Sequence, residues 1–409
     1  MSIQVNAIKN TTYRNNQNIR SVNLNYKSWV NDSMINAFNN CSNLQSVNNI
    51  NNNVTSMTYA FRNCTNLIQA PIIPNSVTAI LETFGYCSNL VNVPIIPNSV
   101  TSMSRAFIYC SNLTNAPIIP NSVIDMTQTF MGCSNLINAP EIPNSVTDMD
   151  GTFMICNNIT IAPIIPNSVT NMSSTFYGCG NLVNAPTIPN SVTNMGSTFY
   201  SCSNLVNAPT ISNSVKDMAW TFYGCTKLVN APVIPNSVIN IERAFTGCTN
   251  LVNVPVIPNS VTHMSSTFSR CFKLVNAPVI PNSVTTMAGT FEMCVNLVNV
   301  PVIPNSVTNM SGTFSYCYNL TTAPNIPNSV IDMTHTFILC TNLTGNVYIH
   351  SNQITSAANC FSSDTLKNVY IPFKYENSEY TKTYNSFIAA GYDENGTSCG
   401  VYLKDLATI

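Results

Sequence analysis

The apolar positions of this chain repeat with a period of 23 residues. The stretch NAPVIPNSVTTMAGTFEMCVNLV (276–298) is followed by NVPVIPNSVTNMSGTFSYCYNLT (299–321). Fourteen cysteines keep the spacing, from Cys41 to Cys340. With Cys as position 0, Phe stands at −3 and Leu at +3, with Ile159 the one substitution. Ile stands at +9, Val at +13 and Met at +16, the last replaced by Ile80 and Ile241. Six apolar columns per coil form the core, and their burial alone does not offset the entropy of ordering 23 residues. A single coil therefore cannot fold without neighbours, and a fixed period of this length is the signature of a solenoid.

Each part of the coil predicts an element. Position +8 varies (Ile72, Glu141, Thr187, Val279, Asn325) while Ile at +9 holds, so +8 faces out and +9 faces in, the alternation of a strand. Pro at +7 and +10 removes two ladder donors, so that strand must be very short. The PNS that follows reads as a turn, with Pro fixing φ and Asn tolerating the left-handed region. Met, Phe and Cys are then spaced four and three, which predicts one face of a helical turn, capped by the polar residue at +14 or +15. The unbroken register predicts one continuous solenoid over residues 31–344.

The flanks depart from the repeat. Residues 1–30 are polar, with Tyr13 and Trp29, and read as an N-terminal cap. Residues 345–409 open with a degraded coil, GNVYIHSNQITSAANCF. They continue as a strand, a helix near 378–390, a Gly-rich turn and a last strand, an α/β cap. Caps are expected where a solenoid would otherwise expose its core and a sheet edge.

VTNMSGTFSYCYNL and its siblings resemble the BspA-type leucine-rich repeats, whose coils carry V-T-x-M-x-x-x-F-x-x-C-x-x-L. The resemblance implies an α/β repeat: a right-handed leucine-rich-repeat solenoid with short parallel strands on one side and short helical segments on the other. It also implies a cell-surface or secreted protein that binds proteins, cells or matrix. The strand segment here has an additional Pro, A-P-x-I-P, which predicts a narrower concave sheet. The tail resembles the endings of repeat proteins from bacteriophages and prophages, a match of about 40 residues without a chemical motif.

Composition narrows the function. Hydrophobic residues are 45% of the chain, enough for a core, but charged residues are only 8% and net charge is −1. No basic surface is available to neutralise phosphates, so nucleic acid and anionic membranes are not expected partners. The surface must be wetted by Asn, Ser and Thr. The first 20 residues lack the apolar core of a signal peptide and no window approaches 18 apolar residues. The expected location is therefore cytoplasmic synthesis, followed by virion incorporation or non-classical surface display.

Chemistry is sparse. There is no C-x-x-C, and His263, His335 and His350 are scattered, so no metal site or cofactor is expected. The Cys column reads as buried free thiols acting as small hydrophobes. Asp125, Asp148, Asp217 and Asp332 share position +15, where capping explains them. Asp148 and Asp150 lie close in sequence but lack a partner base, and the chain is expected not to be an enzyme.

What remains is surface. Positions +18 and +21 vary freely, and three apart they share one face of a helical segment. Tyr177, Tyr200 and Tyr223 occupy +21 in three successive coils, and Trp220 lies three residues before Tyr223. These four are the candidate ligand-binding residues, because exposed aromatic clusters mark contact sites. The second choice is the +8 column of Ile72, Ile95, Ile118 and Val233. The expected function is recognition or adhesion with a protein or glycan ligand. The alternatives are a structural or host-contact part of a phage virion or tail fibre, and an intracellular scaffold. Sequence leaves the oligomeric state open.

Overall fold

Residues 8–361, 366–374, 379–396 and 400–409 are described by the computed structural model. They fall into two compact units, Met1–Leu205 and Val206–Ile409. In each unit the coils stack with their six apolar columns inside. In the first, Phe61, Cys64, Leu67, Val77 and Ile80 are fully buried and Ile73 is nearly so. In the second, Phe245, Cys248, Leu251, Val261 and Met264 are fully buried, beside Ile257. The Phe rings stack coil upon coil. Centroids lie 5.3 Å apart for Phe38–Phe61 and 5.8 Å for Phe176–Phe199 in the first unit, and 5.6 Å for Phe222–Phe245 in the second.

The expected helical segments are absent from the coils. The Met–Phe–Cys stretch is instead a run of turns, and among the described residues the one α-helix, α1 (Lys382–Ala389), lies in the tail. The hydrogen bonds give the reason. In a helix every N–H donates within its own strand of chain. Here only alternate donors do: Ala60 donates to Met57, Arg62 to Tyr59 and Cys64 to Phe61. The residues between them donate to the next coil: Met57 to Ala79, Tyr59 to Leu81, Phe61 to Thr83 and Asn63 to Gly85. The left-handed backbone at +18 and +22 imposes this alternation, as at Tyr59 (φ 57°) and Asn63 (φ 60°). The 4-then-3 spacing that reads as a helix is equally satisfied by successive three-residue turns.

The strand prediction is also displaced. The alternation at +8 and +9 holds, with Ile72 88% exposed and Ile73 4%. Yet the parallel bridges between successive repeat coils fall at +5 and +15, and the A-P-x-I-P segment makes one only at the last coil, where Ile326 pairs with Ile349 of the degraded coil. Examples are Gln69 with Asn92 and Ser56 with Ala79 in the first unit, and Asn230 with Asn253 and Asp217 with Asn240 in the second. Two prolines per coil withhold the donors a strand there would need.

Buried polar groups find their partners in the neighbouring coil. The Thr83 hydroxyl donates to the Met57 carbonyl at 2.9 Å, and the Cys87 thiol to the Phe61 carbonyl at 3.1 Å. The Ser of PNS bonds across coils as well: Ser76 Oγ donates to the Val54 carbonyl at 2.6 Å. At +2 the Asn amides form a ladder, with Asn112 Nδ2 donating to Asn89 Oδ1 at 3.1 Å. An amide is donor and acceptor at once, so a column of Asn can propagate where a column of charges would repel.

Both ends carry longer strands and aromatic closures. Near the N-terminus β1 (Ser21–Asn23) pairs in parallel with β2 (Ser46–Asn48). Tyr13 stacks on Phe38 with centroids 4.9 Å apart, and Trp29 meets Phe38 edge-on. Near the C-terminus β3 (Gly345–Tyr348), β4 (Leu366–Ile371) and β5 (Tyr402–Asp405) form a parallel sheet in that order. Helix α1 lies between β4 and β5 in sequence, the strand–helix–strand order read from the tail. Thr381 caps it by accepting from the Tyr384 N–H.

In the degraded coil the register slips by one. Phe361, not residue 360, stacks on Phe337 at 5.5 Å, and Phe337 donates to the Cys360 carbonyl. Cys360 thus stands in the Thr slot rather than in the Cys column. Phe387 and Tyr392 then pack against Phe361, whose N–H and carbonyl both bond the Tyr392 hydroxyl.

Candidate functional site

The variable positions sit on the left-handed turn. Residue +18 has positive φ in coil after coil: Glu82 49°, Arg105 54°, Gln128 51°, Ser174 52° and Trp220 60°. A non-glycine residue there costs about 1–2 kcal/mol. Its N–H is committed to the next coil, as Trp220 is to the Glu242 carbonyl at 2.9 Å, while residue +21 donates back to +18, as Tyr223 does to Trp220. The backbone is fixed by these bonds, and the side chains of +18 and +21 are left to vary.

The four predicted residues are all half-buried. In the first unit Tyr177 and Tyr200 stack face to face, centroids 4.3 Å apart and planes 3° apart. In the second, Trp220 lies 5.2 Å from Tyr223 with the planes at 34°, and the Arg243 guanidinium stands 4.4 Å over the Trp220 ring. The i, i+3 contact inferred for a helix therefore exists, but a turn makes it. Arg243, also at +18, is a contact that the candidate list did not include; a cation beside an aromatic at +18 in adjacent coils was the available signal.

A second aromatic pair was missed. Tyr86 and Tyr109, at +22, stack 5.2 Å apart. Arg62 lies 5.1 Å over the Tyr86 ring and pairs with the Glu82 carboxylate. The Tyr109 ring covers Gly132, where a Cβ would come within 2.5 Å of it. Tyr immediately before Cys in two successive coils was the signal.

The acidic column at +15 caps, as expected, but caps a turn. Asp125 accepts from the Thr127 N–H at 2.8 Å and Asp148 from the Asp150 N–H at 2.8 Å. Asp217 and Asp332 do the same for Ala219 and Thr334 at 2.9 Å, and Asn171 and Asn309 serve other coils identically. Burial, with Asp148 nearby, pushes the Asp150 carboxyl above the usual range. No third ligand joins this pair, and no group of three or more potential metal ligands occurs among the described residues. All fifteen described cysteines are free and buried. Burial pushes the thiols of Cys87, Cys179 and Cys294 up to about 12, against the lowering effect of a backbone hydrogen bond from the Cys one coil earlier (Cys64, Cys156 and Cys271).

Six overlapping matches to the model of the BspA type leucine rich repeat region cover residues 1–114, 57–182, 127–241, 172–289, 218–344 and 265–387. The chain belongs to the BspA-type leucine-rich-repeat family. Among solved structures, a leucine-rich repeat protein from Bacteroides ovatus is similar at 23% identity and a TM-score of 0.53. That match covers 76% of this chain and 87% of the other. A leucine rich cell surface protein from Faecalibacterium prausnitzii matches at 22% identity and a TM-score of 0.46, covering 81% and 83%. No curated protein matches. The first structural likeness supports the leucine-rich-repeat fold. The comparisons give a phage origin no support.

In this BspA-type chain the +8 positions carry the most exposed large apolar side chains among the described residues. Ile95 and Ile118 are 91% exposed, and Val302 is 87%. Val and Ile at +4 are partly exposed as well, at Ile68, Val91, Ile137 and Val183 in the first unit and from Val206 to Val298 in the second. No helix among the described residues is long and apolar enough to cross a membrane.

Proposed function

We propose that this BspA-type chain is a non-enzymatic recognition or adhesion protein. Its ligand, a protein or a glycan, is met on the turn face that carries positions +18 and +21. The observation that carries this reading is a half-buried aromatic cluster in each unit: Tyr177 stacked on Tyr200 in the first, and Trp220 beside Tyr223 and Arg243 in the second. Rings offer flat area at low conformational cost, and Tyr, Trp and Arg are the side chains that dominate binding hot spots. The backbone bonds beneath them hold the rings without demanding any residue type, so the face is free to be specialised for a ligand. Display at a cell surface belongs to this proposal.

The test is a Trp220→Ala/Tyr200→Ala double variant, checked for an unchanged melting temperature and then assayed against bacterial and host cells and a glycan array. The expected result is a loss of binding of at least tenfold. Undiminished binding by a folded variant overturns the placement of the site on the aromatic face. Absence of binding by the parent chain to any cell, protein or glycan overturns recognition itself.

A further inference from the structure

The exposed +8 row of the second unit is symmetric about its centre. Val233, Val256, Val279 and Val302 occupy it in four consecutive coils, each 83–87% exposed. Thr210 precedes them and Asn325 follows them at the same position. The row is thus four aliphatic knobs closed at both ends by a neutral polar side chain. Prolines at +7 and +10 line it on either side and are buried. Beyond them run an exposed Asn row at +11 (Asn236, Asn259, Asn282, Asn305) and another at +5. In the +5 row Asn253 Nδ2 donates to Asn230 Oδ1 at 2.6 Å. No charged residue occurs between +4 and +12 in these four coils.

We propose that this face is an isologous interface between two copies of the chain, with its two-fold axis between Val256 and Val279. An isologous contact requires a surface complementary to itself after a half turn. About this axis Val256 meets the partner's Val279 and Val233 meets the partner's Val302. Thr210 then meets the partner's Asn325, so polar ends meet polar ends and apolar knobs meet apolar knobs. A groove of about 540 Å³ beside Val279, lined by Pro278, Pro281 and Val302, is the depression a facing Val would enter. The Asn rows are self-complementary because each amide both donates and accepts.

Area supports the same occupant. A fully exposed aliphatic side chain offers roughly 60–120 Å² of apolar surface. Four such side chains, with the +4 row of Val229, Val252, Val275 and Val298 at 39–47% exposure, reach several hundred Å². Monomers rarely expose more than about 300–600 Å² in one patch, and a stable interface takes about 800 Å² per partner. The exposed Asn rows at +5 and +11 supply the remainder. The absence of charge matches the depletion of charge at interface cores. In the first unit the corresponding row is interrupted by Glu141 after Ile72, Ile95 and Ile118, and a carboxylate in the row disfavours burial there.

The experiment is sedimentation of the full chain at micromolar concentration. A species of twice the 44.6 kDa chain mass is expected. Val256→Glu/Val279→Glu opposes like charges across the axis and should shift the chain to monomer, raising the dissociation constant at least 100-fold. Ile95→Glu/Ile118→Glu should leave the dimer intact. Register is read by mixing Val256→Cys and Val279→Cys chains, both carrying Cys399→Ser, under mild oxidation. The mixture should form a disulfide-linked pair, and neither chain alone should. A monomer at all concentrations, a dimer indifferent to the Glu pair, a cross-link with another register, or capture of a different molecule by this face would each overturn the proposal.

Discussion

Trp220 and Phe222 lie two residues apart in one coil and obey opposite rules. Phe222 is fully buried and stacks on Phe245 at 5.6 Å, in a column where every coil has Phe. Trp220 is half-exposed, has φ of 60°, and occupies a column that takes Tyr, Glu, Arg, Gln, Gly and Ser in other coils. The difference teaches where this fold keeps its information. Inside, each ring is the floor of the next, so one substitution is felt by two neighbours. Outside, the backbone is held by bonds from +18 and +20 to the next coil, and those bonds are indifferent to the side chain. A surface residue can therefore even sit in a conformation disfavoured for it.

Breaking the inner column should have the largest effect. Phe222→Ala leaves a cavity in a core with no side chain able to collapse into it, and a loss of about 3–5 kcal/mol is expected. Chemical denaturation of the variant beside the parent chain measures it. A loss below 1 kcal/mol would show that the stack is not what holds the coil.

The Cys column should reveal itself at alkaline pH. Thiols that ordinarily ionise near 9.0 are held protonated to about 12 in the folded chain, as at Cys87, Cys179, Cys294 and Cys340. The unfolded chain loses these protons first, so its free energy falls as pH rises through 9 while that of the folded chain does not. Stability is then fully present below pH 9 and declines progressively between 9 and 12. Melting temperature recorded from pH 6 to 11 should be flat at first and fall steeply above 9. Replacing Cys87 and Cys179 by Ala should reduce the steepness. Below pH 9 a thiol reagent should label these residues only after denaturation.

Gly132 tests the turn from the other side. It has φ of 76° and lies beneath the Tyr109 ring, where a Cβ would come within 2.5 Å. Gly132→Ala adds left-handed strain of about 1–2 kcal/mol and displaces the ring. Unfolded-state entropy returns about 0.5–1 kcal/mol of the backbone part, so thermal melting should show a net loss of roughly 1 kcal/mol or more once the ring is displaced. Adding Tyr109→Ala should restore the part due to the ring and leave the part due to φ.

These outcomes mark what the sequence made legible. The columns Phe, Cys, Leu, Ile, Val and Met were read correctly as core, because an invariant apolar position in a repeat has one explanation. Ile at +9 and its exposed neighbour at +8 followed from alternation alone. The helical reading failed because spacings of four and three fit successive turns as well as a helix, and periodicity cannot see where an N–H goes. A signal for the turn was present: position +22 takes Asn40, Asn63, Gly132, Gly178, Gly224 and Gly247, residues that tolerate positive φ. The slip at Phe361 was hidden because Cys360, 20 residues after Cys340, looks like a shortened member of the series and is not one. In the candidate site the Tyr–Tyr and Trp–Tyr contacts were legible from equal positions and i, i+3 spacing. The Arg243 contact and the Tyr86–Tyr109 stack depended on side-chain direction, which spacing does not supply.

The smallest predicted effect is the sharpest test of the outer column. Trp220→Ala removes the contacts with Tyr223 and Arg243 but keeps a Cβ at φ of 60°. Half-exposed ring and cation contacts of this kind contribute about 0.5–1 kcal/mol each, so a loss of about 1–2 kcal/mol is expected. It is well short of the loss from Phe222→Ala. Trp220→Gly removes the same contacts and the strain together. Glycine relieves about 1–2 kcal/mol of left-handed strain and adds about 0.5–1 kcal/mol of unfolded-state entropy. The Gly variant should therefore be more stable than the Ala variant by roughly 0.5–1 kcal/mol, although it has the smaller side chain. Differential denaturation of the pair reads the strain free of the ring, because both have lost the ring. If Ala proves the more stable of the two, the +18 backbone is not left-handed in solution. The turn that presents Trp220 would then have to be redrawn, and with it the face on which a ligand is proposed to sit.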